Sequence, residues 1–408
     1  FPLKHTAFSE VFEPECRLLA NPLFWWLTTL CGLAIACCLS GMIHFQRSMP
    51  LVTIGDAVDS FLNKPSEQIT RSACSYDHTS FRNMFRPKLV PKSYHQHGAR
   101  RRWWQAVGLT RWGLTTLWFL TIILALITCF MVGVQNNGRR TDPKSYMKQM
   151  YESHRRFEKP LQEADQASLS LGSRPTSGPD QRKLKLVTIA NTPQFITSLT
   201  YLYYNMVVTL MVAEREWHRI GSGDKRSTSS YLRVSNPRGR QRGSYFLSLP
   251  YRYAIPLMAI TIAEKWLASV GVFYFNLDLW DTEGRRVTLG EDRQLDGSIS
   301  TLGYSALAVF WMIILTAVSW MAIVLLAIIR RYPPGKPLMG TCTGVIAASC
   351  HLSTVDRVKQ QVFGEDIAAG ALSWGVIRQV SQDGEVEQWL GFRSGKKAEM
   401  PVDGQIYG

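Results

Sequence analysis

Five polar side chains recur at steps of three and four residues within an apolar stretch of the chain. They are Gln194, Ser198, Tyr201, Asn205 and Thr209. Because an α-helix has about 3.6 residues per turn, this spacing places all five on one helical face. Inside a membrane such a face could line a water-filled path or a ligand pocket, or it could hydrogen-bond neighbouring helices at ~0.6 kcal/mol per contact. The sequence leaves both roles open.

A carboxylate and an ammonium group stand side by side in a second apolar stretch, at Glu264 and Lys265. An isolated charge at the centre of a bilayer costs at least ~2.5 to 3.5 kcal/mol on insertion scales, so each group needs a partner. Adjacent residues of a helix point about 100° apart, and the two side chains therefore cannot simply pair with each other. Either an ion or proton relay or a structural bridge to another helix would account for them.

A run of basic residues precedes the same stretch. Arg238, Arg240 and Arg242 are followed by Arg252, which lies between Tyr251 and Tyr253. Aromatic and cationic side chains at this depth anchor a helix to lipid headgroups. The four arginines are also candidates for a specific site for anionic lipids, which such clusters attract at ~1 kcal/mol per residue.

Catalytic and metal-binding patterns are weak. Cys342, Cys350 and His351 lack a fourth metal ligand at a standard spacing. His351 and Asp356 match the H-x-x-x-x-D spacing of glycerolipid acyltransferases, without a companion phosphate-binding motif. The chain contains no G-x-S-x-G, H-E-x-x-H, P-loop or dinucleotide fingerprint. We therefore predict no enzyme, no catalytic residue, no metal and no cofactor.

Composition narrows the class of protein. The 408 residues carry a net charge of +15, with a mean hydropathy of -0.06 and a pI near 9.5. The basic balance fits Lys and Arg held on the cytoplasmic side of a membrane, and no nucleic-acid-binding motif accompanies it, so we predict no nucleic acid as partner. The chain starts at Phe1 without Met or a signal segment, as expected for a processed chain or a portion of a longer protein.

Five stretches reach the ~20 mainly apolar residues that a membrane-spanning helix needs. They are residues 22–45, 113–135, 189–213, 251–276 and 302–329. The predicted fold is an all-α membrane bundle of about five spans, with a small cytoplasmic β element in the tail. That element is predicted from residues 374–380 and 385–392, which flank the turn residues 381–384.

The distribution of charge predicts the orientation of these spans. The connections 46–112 and 214–250 and the tail 330–408 are basic and read as cytoplasmic, and the densest run is Arg100, Arg101 and Arg102. The N-terminal segment 1–21, the polar connection 136–188 and the acidic loop 277–301 then lie outside. The connection 136–188 is rich in Arg and Lys and fits this assignment least well.

Three local elements are predicted in the connections. Val52, Ile54, Val58, Phe61 and Leu62 form an apolar face that suits a helix in the membrane interface. A polar helix is expected over residues 143–167, and a flexible linker over residues 168–180.

Several longer motifs carry a resemblance to a known family. They are PLVTIGDAV (residues 50–58), NTPQ (191–194), LRVS (232–235), YFLSLPYRY (245–253), AASCH (347–351) and WGV (374–376). On these the chain resembles uncharacterised multi-pass membrane proteins of filamentous fungi, grouped under a domain of unknown function. The resemblance implies a membrane location and supplies no catalytic residues. Glu264 and Lys265 depart from its pattern.

The function expected from the sequence is a non-enzymatic assembly, scaffold or sensory subunit that acts through lipid and protein contacts. The alternatives are a channel or transporter with a path along the polar face of the third span, and a lipid-modifying enzyme that uses His351. Membrane lipids, a second copy of the chain or other membrane subunits are the expected partners. The plasma membrane is the expected location, and another endomembrane is the alternative.

Overall fold

The computed structural model describes residues 22–45, 51–66, 69, 71–79, 93–94, 101–136, 179–222, 231–245, 249–278, 298–380, 386–395 and 398–407. The chain divides into two units, residues 1–51 and residues 52–408. The first contains α1 (Pro22–Phe45), a helix without Asp, Glu, Lys or Arg whose apolar side chains are exposed, including Trp25 and Leu39.

The second unit contains the remaining elements. Its helices are α2 (Ile54–Asn63), α3 (Leu109–Asn136), α4 (Pro179–Arg219), α5 (Tyr251–Gly271), α6 (Ala306–Ile329), α7 (Thr343–Ser349) and α8 (Thr354–Val362). Its strands are β1 (Arg233–Val234), β2 (Arg242–Gly243), β3 (Val272–Asp278), β4 (Ser298–Tyr304), β5 (Leu372–Val380) and β6 (Val386–Ser394). Within the described ranges, α1, α3, α4, α5 and α6 are long and apolar enough to cross a membrane. The prediction of five such helices and small sheets is confirmed.

A bundle forms from four of these helices: α4 packs on α5, α5 on α6, and α6 on α3. Aromatic side chains fill its interior. Phe119 of α3 stacks on Trp320 of α6 at 4.2 Å between ring centroids and lies 4.8 Å from the ring of Tyr204 of α4. Because such rings exclude water and fix side-chain positions, they hold α3, α4 and α6 in a defined arrangement.

The third and fourth helices differ in extent from the predicted spans. The helix α4 runs over residues 179–219 and continues through Pro193, well beyond the predicted 189–213. The helix α5 ends at Gly271, where the chain becomes extended and β3 pairs antiparallel with β4. Val272, Phe273 and Tyr274 are β-branched or aromatic and favour a strand, although their apolar character suits a span equally well.

The tail module consists of α2, β1, β2, α7, α8, β5 and β6. The β element expected in the tail is present, because β5 and β6 pair antiparallel from Leu372↔Ser394 to Val380↔Val386. The apolar face of α2 packs inside this module: Val58 and Leu62 are buried in the same hydrophobic cluster as Trp389. Apart from Val52, which is exposed, the face that we expected in the membrane interface is therefore covered by protein.

Several predicted segments lie outside the described residues. These are the polar helix 143–167, most of the linker 168–180, the N-terminal segment 1–21, most of the acidic loop 277–301 and the turn 381–384. The last two residues of the predicted linker, Pro179 and Asp180, begin α4.

Candidate functional site

A carboxyl group lies inside the helix bundle, on Glu264 of α5. Its side chain is 0% exposed. The hydroxyl groups of Tyr204 and Thr316 each donate a hydrogen bond to its Oε1, both at 3.3 Å. Among the described residues, Oε2 has no hydrogen-bond partner. One oxygen of a fully buried carboxyl group is thus left free to bind something else.

The surrounding hydroxyl groups come from two helices, α4 and α6. Thr316 and Ser319 stand one turn apart on α6, and the Ser319 hydroxyl contacts that of Tyr204 on α4. Ser319 also donates to the Thr316 carbonyl at 3.1 Å. We call Glu264, Tyr204, Thr316 and Ser319 the Glu264 cluster. It is a small set of oxygen atoms closed off by the aromatic core, and it could hold a proton or a small cation.

Lys265 does not take part in this cluster. Its side chain is exposed on the outer surface of α5, and no ion pair joins it to Glu264 within the described part of the chain. This agrees with the angle of about 100° between adjacent residues of a helix.

The predicted polar face of the third span does not point into the bundle core. Gln194 is exposed, whereas Ser198, Tyr201, Asn205 and Thr209 are half-buried. Two of their hydroxyl groups bond within α4 itself: Ser198 donates to the Gln194 carbonyl at 2.9 Å, and Thr209 donates to the Asn205 side chain at 3.4 Å. Of the five, Tyr201 packs against the hydrophobic core of the bundle, whereas these two hydroxyl groups bond along their own helix.

The buried polar face of α4 carries Thr197, Thr200 and Tyr204 instead. The indole N–H of Trp118 donates to Thr200 at 3.3 Å. Sequence reasoning missed Tyr204, Thr316 and Ser319. The spacing of Thr197, Thr200 and Tyr204 is itself helical and could have indicated this face. Both polar faces of α4 lie among apolar residues, however, so the spacing does not tell which of them points into the bundle core.

The end of α4 lies in the tail module and is held there by Glu214. Both of its carboxylate oxygens accept backbone N–H groups, from Met339 at 3.0 Å and from Gly340 at 2.7 Å. His218, one turn later, lies 3.2 Å from the same carboxylate and stacks on Tyr332 at 5.1 Å. Glu214 is completely buried.

Lys336 reaches the same helix end from the other side. Its ammonium group donates to the Trp217 carbonyl at 2.9 Å and to the Ile220 carbonyl. It also lies 4.7 Å from the ring centroids of Trp217 and Phe392. Burial lowers the pKa of Lys336, whereas the helix carbonyls and ring faces favour its charged form. We call Glu214, Trp217, His218 and Lys336 the α4–tail junction.

The predicted headgroup arginines have different surroundings. Arg238 is paired with Asp59 at 2.7 Å and with Asp366 at 3.1 Å. Arg240 donates to the Tyr231 hydroxyl at 3.3 Å, and Arg242 is exposed. Arg252 is exposed and lies 4.9 Å from the ring centroid of Tyr253. Arg238 thus already has anionic partners in the protein.

His351 and Asp356 do not form a catalytic pair. The ring of His351 lies 2.7 Å from the Ile69 carbonyl through Nε2, and burial lowers the pKa of His351. Asp356 instead belongs to the cap of α8, where it accepts from Ser353 at 3.0 Å. Cys350 is buried, and burial raises the pKa of its thiol. Across the described residues no three His, Cys, Asp or Glu side chains converge as metal ligands do.

Comparison with known proteins identifies a family without an assigned function. The domain of unknown function DUF8419 matches residues 164–406, which include α4, α5, α6 and all of the tail module except α2. No curated protein and no solved structure matches the chain. Because the match covers well over half of the sequence, the chain belongs to the DUF8419 family.

Proposed function

We propose that the protein is a membrane-embedded, non-enzymatic assembly or sensory subunit in which α4 links the bundle to the tail module. The five apolar helices support the membrane location. The plasma membrane is the location we favour, with membrane lipids, a second copy of the chain or other membrane subunits as partners.

The continuity of α4 is the observation that carries this proposal. The helix holds Tyr204 in the Glu264 cluster and, ten residues later, Glu214 in the α4–tail junction. At 1.5 Å per residue these two points are about 15 Å apart. Both are fixed by buried hydrogen bonds, and packed interiors deform little, so a shift of α4 at one point moves the other.

The link can be tested by amide hydrogen exchange on the purified full chain in lipid nanodiscs. We expect Glu264→Leu to increase exchange at Met339 and Gly340, whose N–H groups bond to Glu214. The matched control is Lys265→Leu, which removes a neighbouring charge from the outer surface of α5. Unchanged exchange at Met339 and Gly340 in the Glu264 variant, or the same increase in both, would rule out the link.

A channel or transporter is the second candidate function. Oε2 of Glu264, which has no hydrogen-bond partner among the described residues, favours it, because buried carboxyl groups in membrane helices mark proton and ion pathways. A flux of protons or cations into proteoliposomes that Glu264→Gln abolishes, and Lys265→Gln does not, would favour this function over a purely structural subunit. The lipid-modifying enzyme has no comparable support, since His351 and Asp356 are engaged separately.

A further inference from the structure

Two arginines oppose each other where α3 begins and α6 ends. Arg102 and Arg331 are partners in an antiparallel bridge. The flanking bonds run from the Trp103 N–H to the Arg330 carbonyl at 3.1 Å and from the Tyr332 N–H to the Arg101 carbonyl at 2.7 Å. This pattern defines a non-hydrogen-bonded pair, whose side chains share one face with Cβ atoms about 4.5 to 5.5 Å apart.

Nothing in the described part of the chain balances these charges. Arg101, the neighbour of Arg102, pairs with Asp77 at 2.9 Å. Neither Arg102 nor Arg331 has an ion pair or a side-chain hydrogen bond to any described residue. Like charges placed directly opposite each other are destabilising, and both guanidinium groups are exposed, so an anion can reach the pair and relieve the repulsion.

The position of the pair selects the kind of anion. Arg331 follows the end of α6 by two residues, and Arg102 lies shortly before the start of α3. Beside them Trp104 and Trp112 are partly exposed, and the indole of Trp112 donates to the Trp104 carbonyl at 2.8 Å. Trp and Tyr concentrate at the depth of lipid headgroups, and a basic helix end faces the cytoplasmic leaflet, which carries the anionic lipids.

We infer that Arg102 and Arg331 form a binding site for the phosphate of an anionic phospholipid. A guanidinium group presents paired N–H donors that match phosphate oxygens, and two of them on one face can hold one headgroup from both sides. The inference rests on the proposed membrane location and names a lipid partner for it. It places the headgroup at Arg102 and Arg331, which the sequence pattern marked only as cytoplasmic, whereas Arg238 is neutralised by Asp59 and Asp366.

The test measures lipid binding to the purified full chain by native mass spectrometry, with phosphatidylserine and phosphatidylcholine as probes. We expect the double variant Arg102→Gln/Arg331→Gln to bind phosphatidylserine roughly tenfold or more weakly, with phosphatidylcholine unchanged. The matched control is Lys64→Gln/Arg378→Gln, which removes the same two charges from exposed positions of the tail module. The control should bind phosphatidylserine within about twofold of the wild type. It loses only the general electrostatic attraction of two charges for the lipid, and this loss is the same in both double variants.

Two further arms make the result decisive. Size-exclusion profile and melting temperature establish that each variant is folded. Arg331→Lys keeps the charge but loses the paired donors, and its binding should lie between that of the wild type and that of the double variant. Equal loss in both double variants, or no loss in either, overturns the site. Full displacement of the lipid by soluble glycerophosphoserine also overturns it, because the ligand would then be a free anion. Failure of the chain to enter nanodiscs of pure phosphatidylcholine refutes the membrane location itself, whereas normal entry without anionic preference refutes only this inference.

Discussion

At the scale of single residues, Glu264 is the side chain of the bundle that most needs a functional explanation. A buried carboxyl group costs several kcal/mol unless it is neutral or well paired. Tyr204 and Thr316 supply two donors to one oxygen, and the second oxygen lacks a partner among the described residues. A residue chosen for packing alone would be apolar here, so the cost indicates a role that a leucine could not perform.

Replacing this carboxyl group in two ways should separate hydrogen bonding from charge. Glu264→Gln keeps an acceptor for Tyr204 and Thr316, and we expect its melting temperature in detergent to equal or exceed that of the wild type. Glu264→Leu leaves these hydroxyl groups without their acceptor, at a cost of roughly 1 to 3 kcal/mol. A glutamine variant that melts as low as the leucine variant would contradict this account.

His351 should make the protein sensitive to acid. Burial lowers the pKa of His351 from 6.5, so the unfolded chain takes up its proton at a higher pH than the folded chain does. Stability should therefore fall as the pH drops below about 6.5 and continue to fall through the folded-state pKa. His351→Gln, which keeps a donor for the Ile69 carbonyl, should show a smaller decrease in melting temperature between pH 7.5 and pH 5. An equal decrease in both proteins would show that other groups are responsible.

Residue patterns identified only part of the candidate site. Glu264 and Lys265 stood out because charges are rare in apolar stretches, and the 100° between them correctly separated their environments. Tyr204, Thr316 and Ser319 are common in helices and carry no such signal. Their convergence depends on how α4 and α6 are rotated about their axes, which packing against Phe119 and Trp320 decides.

At the scale of elements, α4 extends beyond its predicted span, and this changes the interpretation of the residues that follow position 213. A span ending near residue 213 would leave Glu214, Trp217 and His218 in a loop. In the structure they continue the helix and are buried with Met339 and Lys336. The polar residues of this segment concealed its helical character, because hydropathy marks where a helix meets lipid and gives no information on how far it extends into a protein core.

Removing the Glu214 carboxylate near the end of α4 should lower the stability of the protein far more than removing that of Glu216 on the same helix. Glu214→Ala leaves the N–H groups of Met339 and Gly340 unpaired in a buried site, which should cost roughly 2 to 4 kcal/mol and remove their protection from hydrogen exchange. Glu216→Ala breaks only a long, partly buried pair with Arg233 at 3.5 Å and should cost at most about 1 kcal/mol. Similar losses in stability and protection for the two variants would contradict this difference.

At the scale of the whole molecule, sequence reasoning succeeded where a property is local and failed where it is not. Five apolar helices and the tail hairpin follow from runs of hydropathy and turn residues. The tail module does not, because it joins α2 to residues almost 300 positions later, as in the contact of the Cys350 thiol with the Val58 carbonyl. An amphipathic helix looks the same whether its apolar face meets lipid or protein, and this is why α2 was expected in the membrane interface.

The orientation of the whole chain can be decided with two single substitutions. The sequence contains no Asn-x-Ser/Thr acceptor for N-glycosylation. Asp296→Asn creates Asn-Gly-Ser in the acidic loop 277–301, and Arg226→Asn creates Asn-Ser-Thr in the basic connection 214–250. If the basic ends of the helices face the cytoplasm, only the first variant is glycosylated in a eukaryotic host, which appears as a mass shift sensitive to glycosidase. Glycosylation of the second variant alone would invert the orientation and would also place Arg102 and Arg331 on the leaflet poor in anionic lipid, so this one experiment bears on both proposals.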